Sequence, residues 1–335
     1  MYNLFNMKRN KRSPFPFIIT LSFFLIVIIS LTTFVFSSPL FTPPADKKVP
    51  TSAKTLLIPK FSLSSFIPQK DKETTLLAVG DIMLGRYCNV QMLKLKNFSY
   101  PFLKTADLTS SADITFGNLE APFLENCPTA ETGMIFCARP EAIEGLKFAG
   151  FNVLSLANNH ILNYGQGGLE QTRHVLSSSN ILYSPLSSFN NVAMKQFNNV
   201  NYGFLSFDLV TYPNTQVIEK VKENISKVDI LIVSLHWGAE YQKEPGSPQK
   251  KLARELVDAG VKVILGHHPH VTQPVESYGN GLIFYSLGNF VFDQPWSEAT
   301  KQGQIAKVIF EGEKIKSYEL IPIYIHDFCQ PQPSQ

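Results

Sequence analysis

Short apolar runs alternate with amphipathic stretches along most of the chain, beginning at residue 73. Apolar residues recur at helical spacing in segments 141–149, 168–177, 215–226 and 248–259. The runs between them have the length of strands and are mostly rich in β-branched residues: "TTLLAV", "DITF", "NVLSL", "DILIVSL", "VKVIL" and "LIFYSL". Strands that alternate with helices predict an α/β fold with buried sheets.

Four further runs are more typical of antiparallel strands. They are "NVAMKQF", "VNYGFLSF", "QIAKVIF" and "IKSYELIPIYI". We therefore expect the sheets to be mixed. The sequence has no internal repeat.

Residues 17–36, "FIITLSFFLIVIISLTTFVF", carry no charge. A run of ~20 apolar residues is long enough to span a bilayer as a helix. Four basic residues lie just before it and the next charge after it is Asp46, which predicts a cytoplasmic N-terminus and an extracytoplasmic remainder. A cleaved signal peptide is the alternative, although the run exceeds the ~7–15 residues of a signal core. We favour a single-pass anchor in the cell membrane.

The pattern divides the chain into five parts. Residues 1–16 form a basic cytoplasmic N-terminus, 17–36 the anchor, and 37–72 a linker that scatters proline, serine and lysine without a period. The folded domain is expected over residues 73–325. Residues 326–335 are expected to form a C-terminal tail.

Composition and charge limit the function classes. The 335 residues are 44% hydrophobic, enough for one large core or two modest ones. The net charge of +3 comes partly from the basic flank and from Lys47, Lys48 and Lys54 near the predicted membrane surface. No basic patch interleaved with aromatic residues is present, so nucleic acid is not an expected partner.

Two of the four cysteines are close in sequence. Cys127 and Cys137 bracket "PTAETGMIF", and in an extracytoplasmic compartment such a pair is expected to form a disulfide. Zinc is the weaker interpretation, because no second close pair of Cys or His residues lies nearby. The sequence leaves open whether Cys88 and Cys329 meet.

Polar residues with ligand chemistry follow several of the predicted strands. In open α/β folds the carboxyl ends of strands are where ligands bind, so these residues should converge on one rim. Taken singly, each has a structural explanation such as a turn, a cap or a packed histidine. The set comprises Asp81, Asn118, Glu120, Asn159, His160, His236, His267, His268 and His270.

The motif "HHPH" points more directly to a metal. His268 and His270 are two residues apart, so in extended backbone they project to the same side, and Pro269 stiffens the link. Together with the carboxylates and amides, they supply the mixed oxygen and nitrogen ligands that a pair of divalent ions needs. We therefore predict two divalent metal ions, with manganese, iron and zinc all left open.

Six ordered motifs resemble the CapA-type poly-γ-glutamate capsule biosynthesis family. They are "GDIMLGR", "GNLEAPF", "SLANNHILNYG", "HWGAEY", "GHHPHVTQPVE" and "YSLGNFVFDQ". The resemblance spans residues 74–325. It implies a fold similar to the calcineurin-like metallophosphoesterases, a four-layer α/β sandwich with two mixed sheets flanked by helices.

The resemblance also implies roles for particular residues. Asp81 stands in the place of the first-strand metal ligand, and Glu120 resembles the bridging carboxylate. Asn159 would bind the second metal, with His160 beside it as an acid or electrophile. His236 would bind the second metal, and His268 and His270 would be divided between the two ions.

Three positions depart from the patterns that the resemblance implies. Met83 stands where the classical metallophosphoesterase motif has a histidine ligand, and a thioether is a poor ligand for hard divalent ions. Glu120 is longer by one methylene than the usual Asp. Asn163 replaces an Asp, so a negative charge that would orient His160 or bind substrate is missing.

Two functions remain open. The first is an extracytoplasmic metal-dependent hydrolase or transferase that acts on a phosphoester or amide-like bond of a cell-envelope polymer. The second is a non-catalytic, metal-containing component of a complex that makes or exports an anionic polymer, working with other membrane subunits of capsule synthesis. We favour the first. Arg86 is a candidate contact for an anionic substrate or a salt-bridge partner, whereas Asn289 and Asp293 are interpreted as residues that hold loops.

Overall fold

The computed structural model describes residues 72–186 and 192–334. Within these residues fourteen strands and six α-helices follow one another. The strands are β1 (Glu73–Ile82), β2 (Ile114–Leu119), β3 (Val153–Ser155), β4 (Leu182–Ser184), β5 (Ala193–Phe197), β6 (Val200–Asp208), β7 (Ile230–His236), β8 (Val263–His267), β9 (Val275–Tyr278), β10 (Gly281–Phe284), β11 (Asn289–Val291), β12 (Gln302–Glu311), β13 (Lys314–Asp327) and β14 (Gln330–Pro333). The helices are α1 (Arg86–Leu95), α2 (Ala106–Thr109), α3 (Ile143–Phe148), α4 (Gly165–Ser178), α5 (Val217–Asn224) and α6 (Ser247–Asp258).

The strands form two mixed sheets. In the first, the order is β14-β13-β12-β1-β2-β3-β4, with β11 also paired to β1. Strands β1 to β4 run parallel, whereas β12 to β14 are antiparallel to their neighbours. The second sheet has the order β5-β6-β7-β8-β10-β9, with a parallel centre and antiparallel edges. The predicted α/β fold with two mixed sheets is therefore confirmed.

Three hydrophobic clusters separate the layers. Successive side chains of a strand point to opposite faces, so neighbouring residues of β1 belong to different clusters. Leu76 and Ala78 pack between the two sheets, whereas Leu77 and Val79 pack with α1, α3 and α4. The third cluster lies between the second sheet and helices α5 and α6. The layers therefore follow the order helices, sheet, sheet, helices.

The four predicted helices correspond to α3, α4, α5 and α6. In α6, Ala253, Leu256 and Val257 are buried, which is the i, i+3, i+4 stripe of an amphipathic helix. Helix α1 was not predicted. Of its residues, Cys88, Asn89 and Met92 are buried, a mixed face that weakens the apolar signal.

Residues 326–335 were expected to form a tail, and the structure contradicts this. Strand β13 extends to Asp327, and β14 pairs antiparallel with it through Pro331 and Pro333. Proline lacks a backbone N–H and is confined to edge strands, and β14 is the edge of the first sheet. The folded domain therefore continues past residue 325 to at least Pro333.

Two disulfides are present. Cys127 pairs with Cys137, as predicted. Cys88 of α1 pairs with Cys329 in the turn between β13 and β14, a pairing that the sequence left open. This second disulfide joins two segments separated by 241 residues and fixes the C-terminal hairpin to the helical layer.

Across the described residues no helix is long and apolar enough to cross a membrane. The predicted anchor at residues 17–36 lies outside the described part of the chain, as does nearly all of the predicted linker. Both stay predictions.

Candidate metal centre

The carboxyl ends of strands from both sheets meet at one place. In the first sheet, Asp81 of β1 is aligned with Asn118 of β2. In the second, Asp208, His236 and His267 end three neighbouring parallel strands and are aligned with one another. The Asn118 amide nitrogen spans the gap, 3.0 Å from Asp81 Oδ1 and 3.3 Å from His236 Nδ1. The predicted convergence of these strand ends on one rim therefore occurs.

Asp81 is fully buried and well supplied with donors. Its Oδ1 lies 3.1 Å from His267 Nδ1, and its Oδ2 accepts a hydrogen bond from the His268 backbone N–H. His270 Nδ1 is 3.3 Å from Oδ2. Burial by itself would raise the pKa of Asp81, but the hydrogen bonds from His267 and His270 lower it well below its usual range. Asp81 is therefore a stable carboxylate and a ready cation ligand.

Glu120 has the opposite environment. It is fully buried, and neither of its carboxylate oxygens has a hydrogen-bond partner. Burial, together with the negative charge of Asp81, raises the pKa of Glu120 well above its usual range. A buried carboxylate without a partner costs several kcal/mol when ionised, and a metal ion removes that cost.

Two imidazoles face the free carboxylate of Glu120. His270 Nε2 is 3.8 Å and His160 Nε2 is 4.0 Å from Glu120 Oε1. Both rings are held by amide oxygens on their far side, at 3.0 Å from Asn289 to His270 Nδ1 and from Asn163 to His160 Nδ1.

Those amides fix the tautomers. Asn289 Nδ2 donates to Gln294 and Thr300, and Asn163 Oδ1 also accepts from the Phe136 N–H, so each amide presents its oxygen to the ring. Each Nδ1 must therefore carry the hydrogen. In the neutral rings both Nε2 lone pairs then point towards the Glu120 carboxyl group, whose ionised form a cation bound to Glu120 would stabilise.

His236 and Asn159 are also brought together. Asn159 comes from the loop after β3, and its Oδ1 lies 2.9 Å from His236 Nε2. Burial, with the neighbouring His268, lowers the pKa of His236 well below its usual value, so the ring is neutral and able to bind a metal. The preceding residue, Asn158, fixes the loop by donating to Asn118 Oδ1 and the Leu119 carbonyl.

The "HHPH" segment differs from its prediction in backbone geometry. His268 has φ +93° and His270 has φ +57°, so this segment is not extended. Left-handed conformations are unfavourable for residues with side chains and cluster at functional sites. The two imidazoles nevertheless reach the same site, because the tight turn after β8 brings them there.

His160 is enclosed by aromatic and amide groups. The Phe136 ring stacks on it at 3.9 Å between centroids. Burial lowers the pKa of His160 to about 4, although the hydrogen bond with Asn163 acts in the opposite direction. Asn163 thus orients His160 as the usual aspartate would, without adding its charge.

Arg86 reaches the rim but is already paired. Its Nη2 donates to Asp293 Oδ1, and its Nη1 donates to the Gly133 carbonyl at 3.0 Å. Its guanidinium carbon also lies 4.6 Å above the centre of the Phe136 ring. Its proposed contact with an anionic substrate stays a prediction. Asp293 holds a loop as expected, since it also accepts from the Tyr87 N–H.

Met83 lies just after the end of β1. It is fully buried in the cluster beneath the helices, and its sulfur accepts a hydrogen bond from the Gly85 N–H at 3.1 Å. The position that carries a histidine in the classical metallophosphoesterase motif therefore supplies no hard ligand here.

Two groups of side chains have ligand atoms close enough to share an ion. One comprises Asp81, Glu120 and His236, with all ligand atoms within 4.8 Å of one another; the other comprises Glu240, His268 and His270 at the same spacing. The residues present therefore fit the predicted pair of divalent ions. Glu240 was not in the predicted ligand set, and its sequence signal was its position after His236 in "HWGAEY". His267 was named among the polar residues at the strand ends, but no metal was assigned to it.

The fold and the cluster define a class: an α/β protein of two mixed sheets with a candidate metal centre at the carboxyl ends of its strands. Residues 75–294 match the family described as "Bacterial capsule synthesis protein PGA_cap". The chain belongs to this family, and the resemblance to CapA proteins noted in the sequence is confirmed.

Two relatives from Bacillus support this membership. The "Capsule biosynthesis protein CapA" of Bacillus anthracis is 31% identical over 292 residues, covering 79% of this chain and 70% of that protein. The "PGA biosynthesis protein CapA" of Bacillus subtilis (strain 168) is 32% identical over 277 residues, covering 76% of this chain and 72% of that protein.

A solved structure shares the fold. A hypothetical protein from Thermus thermophilus superposes with a TM-score of 0.50 at 13% sequence identity, covering 74% of this chain and 98% of the other. At this identity the likeness shows the fold alone.

Proposed function

We propose that this protein is a membrane-anchored, extracytoplasmic member of the CapA family that takes part in making a poly-γ-glutamate-type envelope polymer. In this proposal it is a hydrolase or transferase that uses two divalent ions on a phosphoester or amide-like bond. The names of the Bacillus relatives support the polymer, and the strand-end cluster supports the chemistry.

One observation carries the metal-dependent hypothesis. Glu120 Oε1 is buried without a hydrogen-bond partner, and the Nε2 atoms of His160 and His270 face it at 4.0 and 3.8 Å. Ionisation of a buried carboxyl group that faces two lone pairs is unfavourable. A divalent cation held by Glu120 and its neighbours relieves this repulsion.

Bound divalent ions in such a centre activate water and stabilise the charge that develops on a phosphoryl or carbonyl centre. Asp81, Glu120, Asn159, His236, His268 and His270 would hold them. His160 would act from outside the ions: Asn163 keeps the hydrogen on Nδ1, so Nε2 is the atom that exchanges a proton with the substrate or leaving group. Phe136 covers one face of this ring and keeps its plane fixed.

The test uses the full-length protein. Metal content is measured by mass spectrometry, and turnover is measured with bis(p-nitrophenyl) phosphate and with a γ-glutamyl peptide. We expect bound metal, turnover of one substrate class, and loss of both in His236→Ala. His174→Ala is the matched control, because His174 is exposed on α4.

Each outcome assigns the function. Bound metal without turnover of either substrate would favour a non-catalytic component of a polymer synthesis or export complex, which the changes at Met83 and Asn163 also favour. Absence of metal from the wild type would overturn the metal centre itself.

The location is tested separately. Alkaline phosphatase fused after residue 335 folds into an active enzyme only outside the cytoplasm, so we expect activity that stays with the membrane fraction. Activity released into the medium would point to a cleaved signal peptide, and an inactive fusion would overturn the extracytoplasmic assignment.

A further inference from the structure

The loop after β7 is fastened to the "HHPH" turn. The Trp237 N–H donates to the His267 carbonyl at 3.1 Å, and the Tyr241 N–H donates to the Pro269 carbonyl at 2.8 Å. The Gln273 amide donates to the Gln242 carbonyl at 2.8 Å. Gly238 and Tyr241 both have positive φ, +83° and +63°. These contacts determine where the intervening side chain, Glu240, is placed.

Glu240 lies beside two imidazoles. Its carboxylate and the ligand nitrogens of His268 and His270 are within 4.8 Å of one another. His268 Nδ1 is buried and has no hydrogen-bond partner. His268 also has φ +93°, a conformation that needs compensation from its surroundings. A nitrogen left without a partner on a strained residue, next to a carboxylate, has the features of a metal ligand.

The first strand cannot complete this set. Met83 is buried in the core, and its sulfur accepts a hydrogen bond from Gly85. A thioether is moreover a poor ligand for the hard divalent ions that carboxylates and imidazoles suit. One ion position therefore needs a ligand from elsewhere.

We propose that Glu240 supplies this ligand. A residue from the loop after β7 of the second sheet would then take the place of the ligand that Met83, after β1 of the first sheet, does not provide. This inference rests on the two-ion centre of the proposed function. It assigns Glu240, His268 and His270 to one ion position, the outer position, and Asp81, Glu120 and His236 to the inner position.

The two positions differ in exposure. Every residue of the inner position is fully buried. Glu240 is only partly buried, and its neighbour Tyr241 is 44% exposed. Because of Glu240, an ion in the outer position would be the more accessible of the two to solvent. Its carboxylate ligand also favours a hard cation such as Mn²⁺.

Calorimetric titration of the metal-free, full-length protein with Mn²⁺ tests the assignment without any activity measurement. We expect two ions in the wild type. In Glu240→Gln the inner ion should bind normally and the outer ion at least about 100-fold more weakly, since loss of even an indirect partner of a metal costs 10–100-fold. Glu240→Asp, which keeps the charge on a shorter side chain, should fall between the two.

Glu244→Gln is the matched control, because Glu244 lies in the same loop and is exposed. It should bind two ions with wild-type affinities. Thermal unfolding of each metal-free variant establishes that it is folded. If Glu240→Gln does not fold, the affinity of the outer ion in Glu240→Asp tests the assignment, and it should be weaker than in the wild type.

The outcomes separate the two proposals. Two ions with unchanged affinities in Glu240→Gln would overturn the role of Glu240 and leave the proposed function standing. A wild type that binds no Mn²⁺ would overturn both. A wild type that binds a single ion would overturn the two-position arrangement, and with it the assignment of Glu240.

Discussion

The two disulfides should differ in their contribution to stability. A cross-link stabilises a protein by restricting the unfolded chain, and the effect grows with the length of the loop it closes. Cys88 and Cys329 are separated by 241 residues, and Cys127 and Cys137 by 10. The chain-entropy relation then gives about 5.5 kcal/mol for the long loop and about 2.7 kcal/mol for the short one at 25 °C.

The matched comparison is between two double variants. Cys88→Ala/Cys329→Ala removes the long cross-link, and Cys127→Ala/Cys137→Ala removes the short one. All four cysteines are buried, so the loss of packing is similar and largely cancels. The first variant should therefore be less stable than the second by about 3 kcal/mol.

Urea unfolding of the full-length protein in mild detergent measures this difference. Trp237 is 2% exposed, so its fluorescence reports the loss of the core. With a slope of about 3 kcal/mol/M, the two midpoints should differ by about 1 M urea. Equal midpoints, or a less stable short-loop variant, would refute the loop-entropy reasoning and indicate an unfolded chain that is already compact.

Three further predictions concern the site. In a metal chelator, Glu120→Gln should be more stable than the wild type by about 1–3 kcal/mol, because it removes a buried carboxylate without partners. With saturating Mn²⁺ the wild type should be the more stable of the two. Calorimetric melting in which the same protein is more stable under both conditions would contradict this. Asn163→Asp keeps the oxygen that accepts from Phe136 and His160 and adds a negative charge beside His160. If that charge stabilises the transition state by about 1 kcal/mol, turnover should rise about fivefold. An unchanged or lower rate would leave Asn163 as a residue that only forms the loop. Phe136→Leu removes the ring that covers His160, so kcat should fall about twofold to tenfold while Mn²⁺ stoichiometry is unchanged; loss of metal binding would instead assign Phe136 to general folding.

Features that depend on residues close together in the chain were predictable from the sequence. Features that depend on contacts between distant residues were not. The apolar period predicted four of the helices and most of the strands, because burial on one face leaves a local pattern. Helix α1 was not predicted because its buried face includes Asn89 and Cys88, whose partners lie far along the chain. The edge strand β14, with two prolines, gave no strand signal, and only pairing with β13 places it in the sheet.

The sequence by itself determined the fold class, the family and the set of ligand-type residues at the strand ends. These follow from short apolar runs and from motifs that are contiguous in the chain. It also predicted the Cys127–Cys137 disulfide, from the close spacing of the two cysteines and from the expected extracytoplasmic location.

The tertiary structure decided which of those side chains meet and in what chemical state. The left-handed turn at His268 and His270, the pairing of Arg86 with Asp293, and the approach of Glu240 to the histidines all depend on the packing of two sheets against each other. The unpartnered carboxylate of Glu120 is likewise invisible in the sequence, because burial and the absence of donors are properties of the assembled core. Contacts between residues distant in the chain are set by the fold as a whole, so no local pattern could have supplied them.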